Sequence, residues 1–190
     1  PEDIDVALMA RADWLYLEGY LFDSPAAKEA YARAIGAVKA AGGRVAFTVS
    51  DPFCVERHRE DMKTLIAESV DLLFANKAEL FALYETDDFD GALARLGREV
   101  DLAAVTMSGD GAVVLQNGAK TVVPAEPAEV VDTTGAGDLF AAGFLAGLAR
   151  GRAPAAAARM GCVAAAEVIG HIGARPQQDR EALFAKHGLM

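Results

Sequence analysis

The stretch Val131-Asp132-Thr133-Thr134-Gly135-Ala136-Gly137-Asp138-Leu139-Phe140 decides how the rest of this chain is read. It sets two glycines and an acid at the mouth of an apolar, helix-forming segment. Gly135-Ala136-Gly137 can turn sharply with several N–H groups pointing one way, and the start of the following helix adds its positive dipole end. That combination holds an anion, most often a phosphate. Asp138 repels a phosphate unless it has a second task, taking a proton from a hydroxyl while the phosphoryl group moves. Close packing of a glycine-rich helix start is the plain alternative, and it leaves the two threonines and two aspartates of the same turn unexplained. The segment is not a Walker A loop, because no Lys-Ser/Thr follows the glycines, and it is not the dinucleotide pattern G-x-G-x-x-G. With no lysine in place, a metal ion is expected to supply the positive charge.

Outward from this turn, the chain before it alternates. Asp13–Tyr20 reads as a buried strand, and Ser24-Pro25 opens a helix in which Tyr31, Ala34, Ile35 and Val38 recur at helical spacing up to Gly42-Gly43. A strand over 44–49 follows, then a helix capped by Asp51-Pro52 with Val55, Met62, Leu65 and Ile66 inward. Further strands are read at 70–75 and 102–107, with short helices at 77–84 and 88–97 between them. Asn117-Gly118 joins strands 112–116 and 119–123 as a hairpin. Beyond the turn come a helix to about Arg150, an alanine-rich helix at 154–169 and a tail helix at 178–187. Strand and helix in alternation predict an α/β fold, a parallel sheet with helices on both faces and ligands at the carboxyl ends of its strands. Asn76, Thr106 and the 132–138 turn are expected at such ends.

Composition sets the outer bounds. A chain of 190 residues, 53% hydrophobic and 24% charged, suits one globular domain with a substantial core. Its net charge of −10 argues against a nucleic-acid surface. The two cysteines, Cys54 and Cys162, make neither a disulfide framework nor a metal pattern, and read as core residues of a reducing compartment. No apolar run is long enough to cross a bilayer, no signal peptide is expected, and a cytoplasmic enzyme is the expected class.

Two weaker motifs have ordinary readings as well as chemical ones. Asn76-Lys77-Ala78-Glu79 has the spacing of a helix capping box; it could also order water around Mg²⁺ near phosphates. Thr106-Met107-Ser108-Gly109-Asp110-Gly111 could be a simple tight turn, or hydroxyls and bare amides that hold nucleotide phosphates. His58, His171 and His187 read as surface or packing residues, with His171 placed where it could line a pocket.

Together these stretches resemble the ribokinase-like (PfkB) family of sugar and nucleoside kinases. VVDTTGAGDLFAAGFLAG (130–147) resembles that family's second signature, ANKAE (75–79) its N-x-x-E motif, VTMSGDGAVV (105–114) its T-x-G-x-x-G segment and HIGARP (171–176) its late G-A-x-P loop. The resemblance implies a mostly parallel three-layer α/β/α sandwich that transfers the γ-phosphoryl group of ATP to a sugar or nucleoside hydroxyl. It implies Asp138 as the base and Gly135, Ala136 and Gly137 as an anion hole. Thr106, Ser108, Gly109 and Gly111 would line the nucleotide site, with Asn76 and Glu79 serving Mg²⁺ and phosphate placement, Glu79 through water. Many members also bind a monovalent cation such as K⁺, and Asp132, Thr134 and Gly173 fall where its ligands would be.

Ser108 departs from the usual glycine of T-x-G-x-x-G, a mark shared with some sugar- and adenosine-kinase-like members. LYLEGYLF (15–22) leans toward the adenosine-kinase-like branch as well. Members are longer, and the part expected before residue 1 carries the substrate strands, a Gly-Gly motif and a small β lid through which homodimers form. Residues 1–190 therefore read as the carboxyl-terminal, nucleotide-binding part of a single ribokinase-like domain, lacking the lid and expected to show little kinase activity alone. The rival is a catalytically silent, nucleotide-binding regulator of the same fold, against which the intact Asp138 argues.

Overall fold

Short β-branched and aromatic runs build the sheet, and capped amphipathic segments build the helices between them. The computed structural model describes residues 1–190. Its six strands are β1 (Trp14–Glu18), β2 (Arg44–Thr48), β3 (Leu72–Asn76), β4 (Leu102–Thr106), β5 (Ala112–Gln116) and β6 (Ala119–Val123), in the spatial order β1-β2-β3-β4-β5-β6. β1 pairs with β2 and β2 with β3 in parallel, with Glu18 opposite Thr48 and Thr48 opposite Phe74. The connections from β4 to β5 and from β5 to β6 are too short for a parallel crossover, so β5 runs against its neighbours. The sheet is mixed and mostly parallel.

The chain forms two compact units, Pro1–Ala103 with Leu115–Ala119, and Ala104–Val114 with Lys120–Met190. In the first, α2 (Pro25–Ala40) starts where the Ser24 hydroxyl accepts from the Ala27 amide, and α3 (Pro52–Ser69) where the Asp51 carboxylate accepts from the Cys54 amide. Ala34 and Val38 on α2, and Val55, Met62 and Ile66 on α3, are buried, whereas Tyr31, Ile35 and Leu65 are only half-buried. The fully buried Phe47, Leu72 and Leu73 supply the strands' share of the core. Each such side chain contributes about 1.5–3 kcal/mol over an exposed one. α4 (Lys77–Tyr84) and α5 (Phe89–Glu99) follow β3, and the turn at Asn117-Gly118, both residues with positive φ, closes the hairpin. One short helix, α1 (Val6–Met9), was not expected; its signal is the Asp5 side chain, which accepts from the Leu8 amide.

In the second unit, α6 (Ala136–Ala149) and α7 (Pro154–Ile169) pack closely enough that a Cβ at Gly143 would lie 2.7 Å from the Met160 carbonyl oxygen, and one at Gly161 2.7 Å from that of Phe140. The glycines and alanines of the two helices permit this approach, so the alanine-rich run is a packed helix. Phe144 is fully buried. α8 (Arg180–Lys186) adds Leu183 and Phe184 against Met160 and Val163. The 132–138 turn differs from expectation in one respect: no strand leads directly into it. Irregular backbone separates β6 from α6, because Pro124 and Pro127 lack ladder donors. This segment is held instead by the Val131 amide, which donates to the Ile169 carbonyl at 2.8 Å.

Candidate active site

Gly135 sits at the N-cap of α6 with φ of 82°, a left-handed conformation, and it has no side chain to cap the helix. A Cβ there would also meet Ala174, 2.8 Å from its Cβ and 3.1 Å from its Cα. The position therefore demands glycine twice, for its backbone angle and for the approach of the 173–176 loop. The Ala136 amide donates to the Thr133 carbonyl at 3.2 Å. The amides of Gly137 and Asp138 are first-turn donors with no partner in the chain, as expected where a helix has no side-chain cap. A Cβ at Gly137 would meet nothing within 4 Å, so neither packing nor backbone angle explains that glycine. A bare cradle in front of two free amides at a helix N-terminus fits a phosphate. Of the three residues implied as an anion hole, Gly137 offers the free donor. The sequence reading overlooked the amide of Asp138 itself, for which the missing cap residue was the available signal.

The Asp138 side chain lies in the same first turn, exposed to solvent and without an internal hydrogen bond or ion pair. Asp132 has the opposite environment. Its Oδ1 accepts from the Thr134 hydroxyl at 2.7 Å and the Thr134 amide at 2.9 Å, and its Oδ2 accepts from the Gly173 amide at 2.9 Å. The Thr134 hydroxyl, then the Gly173 and Thr134 amides, hold the Asp132 carboxyl down to about 2. Asp132, Thr134 and Gly173 are thus brought together across 41 residues of sequence. In this arrangement Asp132 ties the turn before α6 to the HIGARP loop.

In the same unit Thr106 ends β4, and Ser108–Asp110 form one 3-10 turn closed by the Gly111 amide donating to the Ser108 carbonyl at 3.1 Å, with the Met107 amide donating to the Gly111 carbonyl at 2.7 Å across its ends. Ser108 carries a positive φ of 53°, and Ser108 and Gly109 are exposed. Gly111 is buried with φ of 93°, and a Cβ on it would come within 2.1 Å of the Val123 carbonyl oxygen. Packing alone thus accounts for Gly111, whereas an added Cβ at Gly109 would meet nothing within 4 Å.

Asn76 and Glu79 lie in the first unit, at the carboxyl end of β3. They form a complete capping box: the Glu79 amide donates to Asn76 Oδ1 at 2.9 Å and the Asn76 amide to Glu79 Oε2 at 2.8 Å. Asn76 Nδ2 also donates to Glu79 Oε1 at 2.6 Å. Burial raises the Glu79 carboxyl above its ordinary value, the Asn76 amide opposes that, and the charge of Asp51 adds to it. Asp51, read from the sequence only as the cap of α3, is the charged neighbour of Glu79 that sequence spacing could not place beside it. No group of three or more His, Cys, Asp or Glu side chains is gathered to hold a metal ion directly.

A family model described as pfkB family carbohydrate kinase matches residues 1–180. The chain belongs to the pfkB family. Among solved structures of this pfkB chain's relatives, a probable sugar kinase from Rhizobium etli CFN 42 matches all of it at 44% identity with a TM-score of 0.98. The adenosine kinase from Sinorhizobium meliloti matches 98% of it at 45% identity with a TM-score of 0.96. This chain covers 58% of each of those two chains. A fructokinase from Klebsiella pneumoniae is 30% identical over 154 residues, which are 78% of this chain and 50% of that protein. The chain thus spans about half the length of that curated relative. These likenesses establish the ribokinase-like α/β fold, and the sugar- and adenosine-kinase relatives agree with the resemblance carried by the motifs.

Proposed function

We propose that this chain is the nucleotide-binding, phosphoryl-transferring part of an ATP-dependent kinase whose acceptor is a sugar or nucleoside hydroxyl. The observation that carries the reading is the start of α6, where two unpartnered amides and an exposed, unpaired Asp138 share one helical turn. In the proposed reaction the acceptor oxygen attacks the γ-phosphorus, its proton passes to the Asp138 carboxylate, and the bond from phosphorus to the ADP oxygen breaks. The amides of Gly137 and Asp138 meet charge on the moving phosphoryl group, with Gly135 and Ala136 shaping the loop. Glu79 beside Asn76 would order water around Mg²⁺, which would supply positive charge to the nucleotide phosphates. Thr106, Ser108, Gly109 and Gly111 belong to the nucleotide subsite in this reading. The carbonyl groups around Asp132, Thr134 and Gly173 would take a monovalent cation such as K⁺.

Within that class the reading leans toward an adenosine-like acceptor, supported by LYLEGYLF from β1 onward and by the 45% identity to the Sinorhizobium meliloti adenosine kinase, beside 44% to the probable sugar kinase. The test uses the whole protein with MgATP and a panel of sugars and nucleosides, reading ADP release. Asp138→Asn is expected to lower turnover by about 10²–10⁴-fold while nucleotide affinity stays within a factor of about two. ADP release unchanged in the variant would overturn the role of Asp138. Nucleotide binding with no turnover on any acceptor would favour a regulator of the same fold.

A further inference from the structure

The start of α3 is bound to the turn that ends β1 by side chains that the proposed reaction does not use. The 3-10 turn Gly19–Asp23 follows β1, and residues 50–58 leave β2 and open α3. The Ser50 hydroxyl accepts from the Gly19 amide at 2.8 Å and from the Tyr20 amide at 3.3 Å. The Cys54 thiol donates to the Gly19 carbonyl at 3.1 Å. At the far end of the turn, Arg57 Nη2 donates to Asp23 Oδ2 at 2.8 Å, and His58 Nε2 lies 2.6 Å from Asp23 Oδ1. Arg57 first and His58 second hold the Asp23 carboxyl down to about 2, so it is charged at neutral pH.

The backbone is irregular at both ends of this segment. Ser50 has φ of 75°, a left-handed angle that favours glycine. At His58 α3 leaves helical angles, with φ of −126° and ψ of 20°, although the helix contains no glycine and its one proline stands at the first position. The break falls where Arg57 and His58 reach Asp23. Residues 51–57 thus lie between two breaks and have the Gly19–Asp23 turn as their anchor.

That segment begins with Asp51. Its Oδ1 accepts from the Cys54 amide at 2.9 Å, and its carboxylate stands beside the Tyr20 hydroxyl and the buried Glu79. The pairing of β2 with β3, Thr48 opposite Phe74, brings these strand ends together. Both Glu79 oxygens already accept from Asn76, so Asp51 adds a second negative charge where Glu79 would order water around Mg²⁺. We infer, on the reading in which Glu79 serves Mg²⁺, that Asp23 is a positioning residue: through Arg57 and His58 it clamps residues 51–57 to the turn after β1 and so keeps Asp51 beside Glu79.

Cys54 reports the clamp, because its thiol is fully buried against the turn, and Cys162, buried in the second unit, reports unfolding at large. The whole native protein is labelled with iodoacetamide, and the rate at each cysteine is read by mass spectrometry. Asp23 is 52% exposed, so Asp23→Ala leaves the core intact. The variant should label Cys54 about fivefold faster and leave Cys162 within a factor of about two. Arg57→Ala should do the same, and the double variant should be no faster than Asp23→Ala alone. In turnover at saturating ATP and acceptor, the half-saturating free Mg²⁺ should rise about threefold or more in Asp23→Ala, while kcat at saturating Mg²⁺ stays within a factor of about two. Unchanged labelling, or Cys54 and Cys162 speeding up together, would overturn the clamp. Selective Cys54 labelling with the parent's Mg²⁺ requirement would overturn the positioning role. A parent protein that turns over no acceptor would overturn the kinase reading and the positioning role with it, whereas the labelling rates still decide the clamp.

Discussion

Replacing Gly137 and Gly135 by alanine, one at a time, separates a glycine kept for a ligand from one kept for the fold. At Gly137 the new methyl group meets nothing within 4 Å and the backbone is already helical. Stability should hold or rise, by up to about 1 kcal/mol on helix propensity and by less in a first turn. At Gly135 the same methyl group faces φ of 82° and the Ala174 backbone 3.1 Å away. The left-handed conformation costs about 1–2 kcal/mol and the overpacking about 1–3 kcal/mol, giving about 2–5 kcal/mol in all. For a chain of this length that lowers the melting temperature by roughly 4–20 °C. Urea unfolding followed by circular dichroism measures both variants. Turnover of the whole protein then supplies the contrast. Gly137→Ala should fold normally yet lose on the order of 10²-fold in kcat, because in the proposed reaction the open space its methyl group would take is left for the phosphoryl group. If Gly137→Ala unfolds as readily as Gly135→Ala, or turns over at the parent rate, the glycine has no ligand role and the reasoning fails.

Further outcomes follow from the same geometry. Asp132 has its folded value depressed from 3.8 to about 2, so its contribution to stability is present above pH 3.8 and is lost as pH falls from there through about 2. Acid titration of Asp132→Asn should lack that proton uptake, and an unchanged acid limb would contradict the Gly173 link. Glu79 has its folded value raised above 4.5, so its contribution runs the other way, present below pH 4.5 and lost as pH rises through the folded value. Glu79→Gln keeps one capping-box acceptor and removes that pH dependence, but its NH2 group faces the second Asn76 donor, so stability should fall by about 1 kcal/mol. Its kinase activity should fall as well, and parent-level turnover would confine Glu79 to the cap. Gly161→Ala should cost about 1–3 kcal/mol in denaturant unfolding, because its Cβ would press on the Phe140 carbonyl oxygen at 2.7 Å.

Local chemistry made most of the elements readable. Ser24-Pro25 and Asp51-Pro52 carry their helix starts in side-chain oxygens and fixed φ angles, and the structure begins α2 and α3 at those prolines. Asn117-Gly118 carries the hairpin in two residues that tolerate positive φ. The 3-10 turn after Glu18 was hidden, because DWLYLEGY has the aromatic and apolar content of a longer strand. What stops β1 is distant in sequence: the Ser50 hydroxyl accepts from the Gly19 amide at 2.8 Å. A period-two pattern contains no term for such a partner.

The candidate site divides along the same line. Gly135, Gly137 and Asp138 announce an anion site because a helix start is a local object, complete within a few residues. Asp132 could be suspected from the motif, but its geometry depends on Gly173, which sequence spacing alone cannot place against it. The two aspartates of one turn consequently differ in what they can do. Asp132 spends both carboxylate oxygens on three donors, and those donors hold its charge in place. Asp138 has no such donors, and its carboxylate is left open to solvent. A base must have a lone pair free to receive a proton, and a clamp must not. On that ground the proposed reaction gives the acceptor's proton to Asp138 rather than to Asp132. Asp132→Asn should accordingly perturb the loop and nucleotide affinity, while Asp138→Asn removes turnover and leaves binding in place.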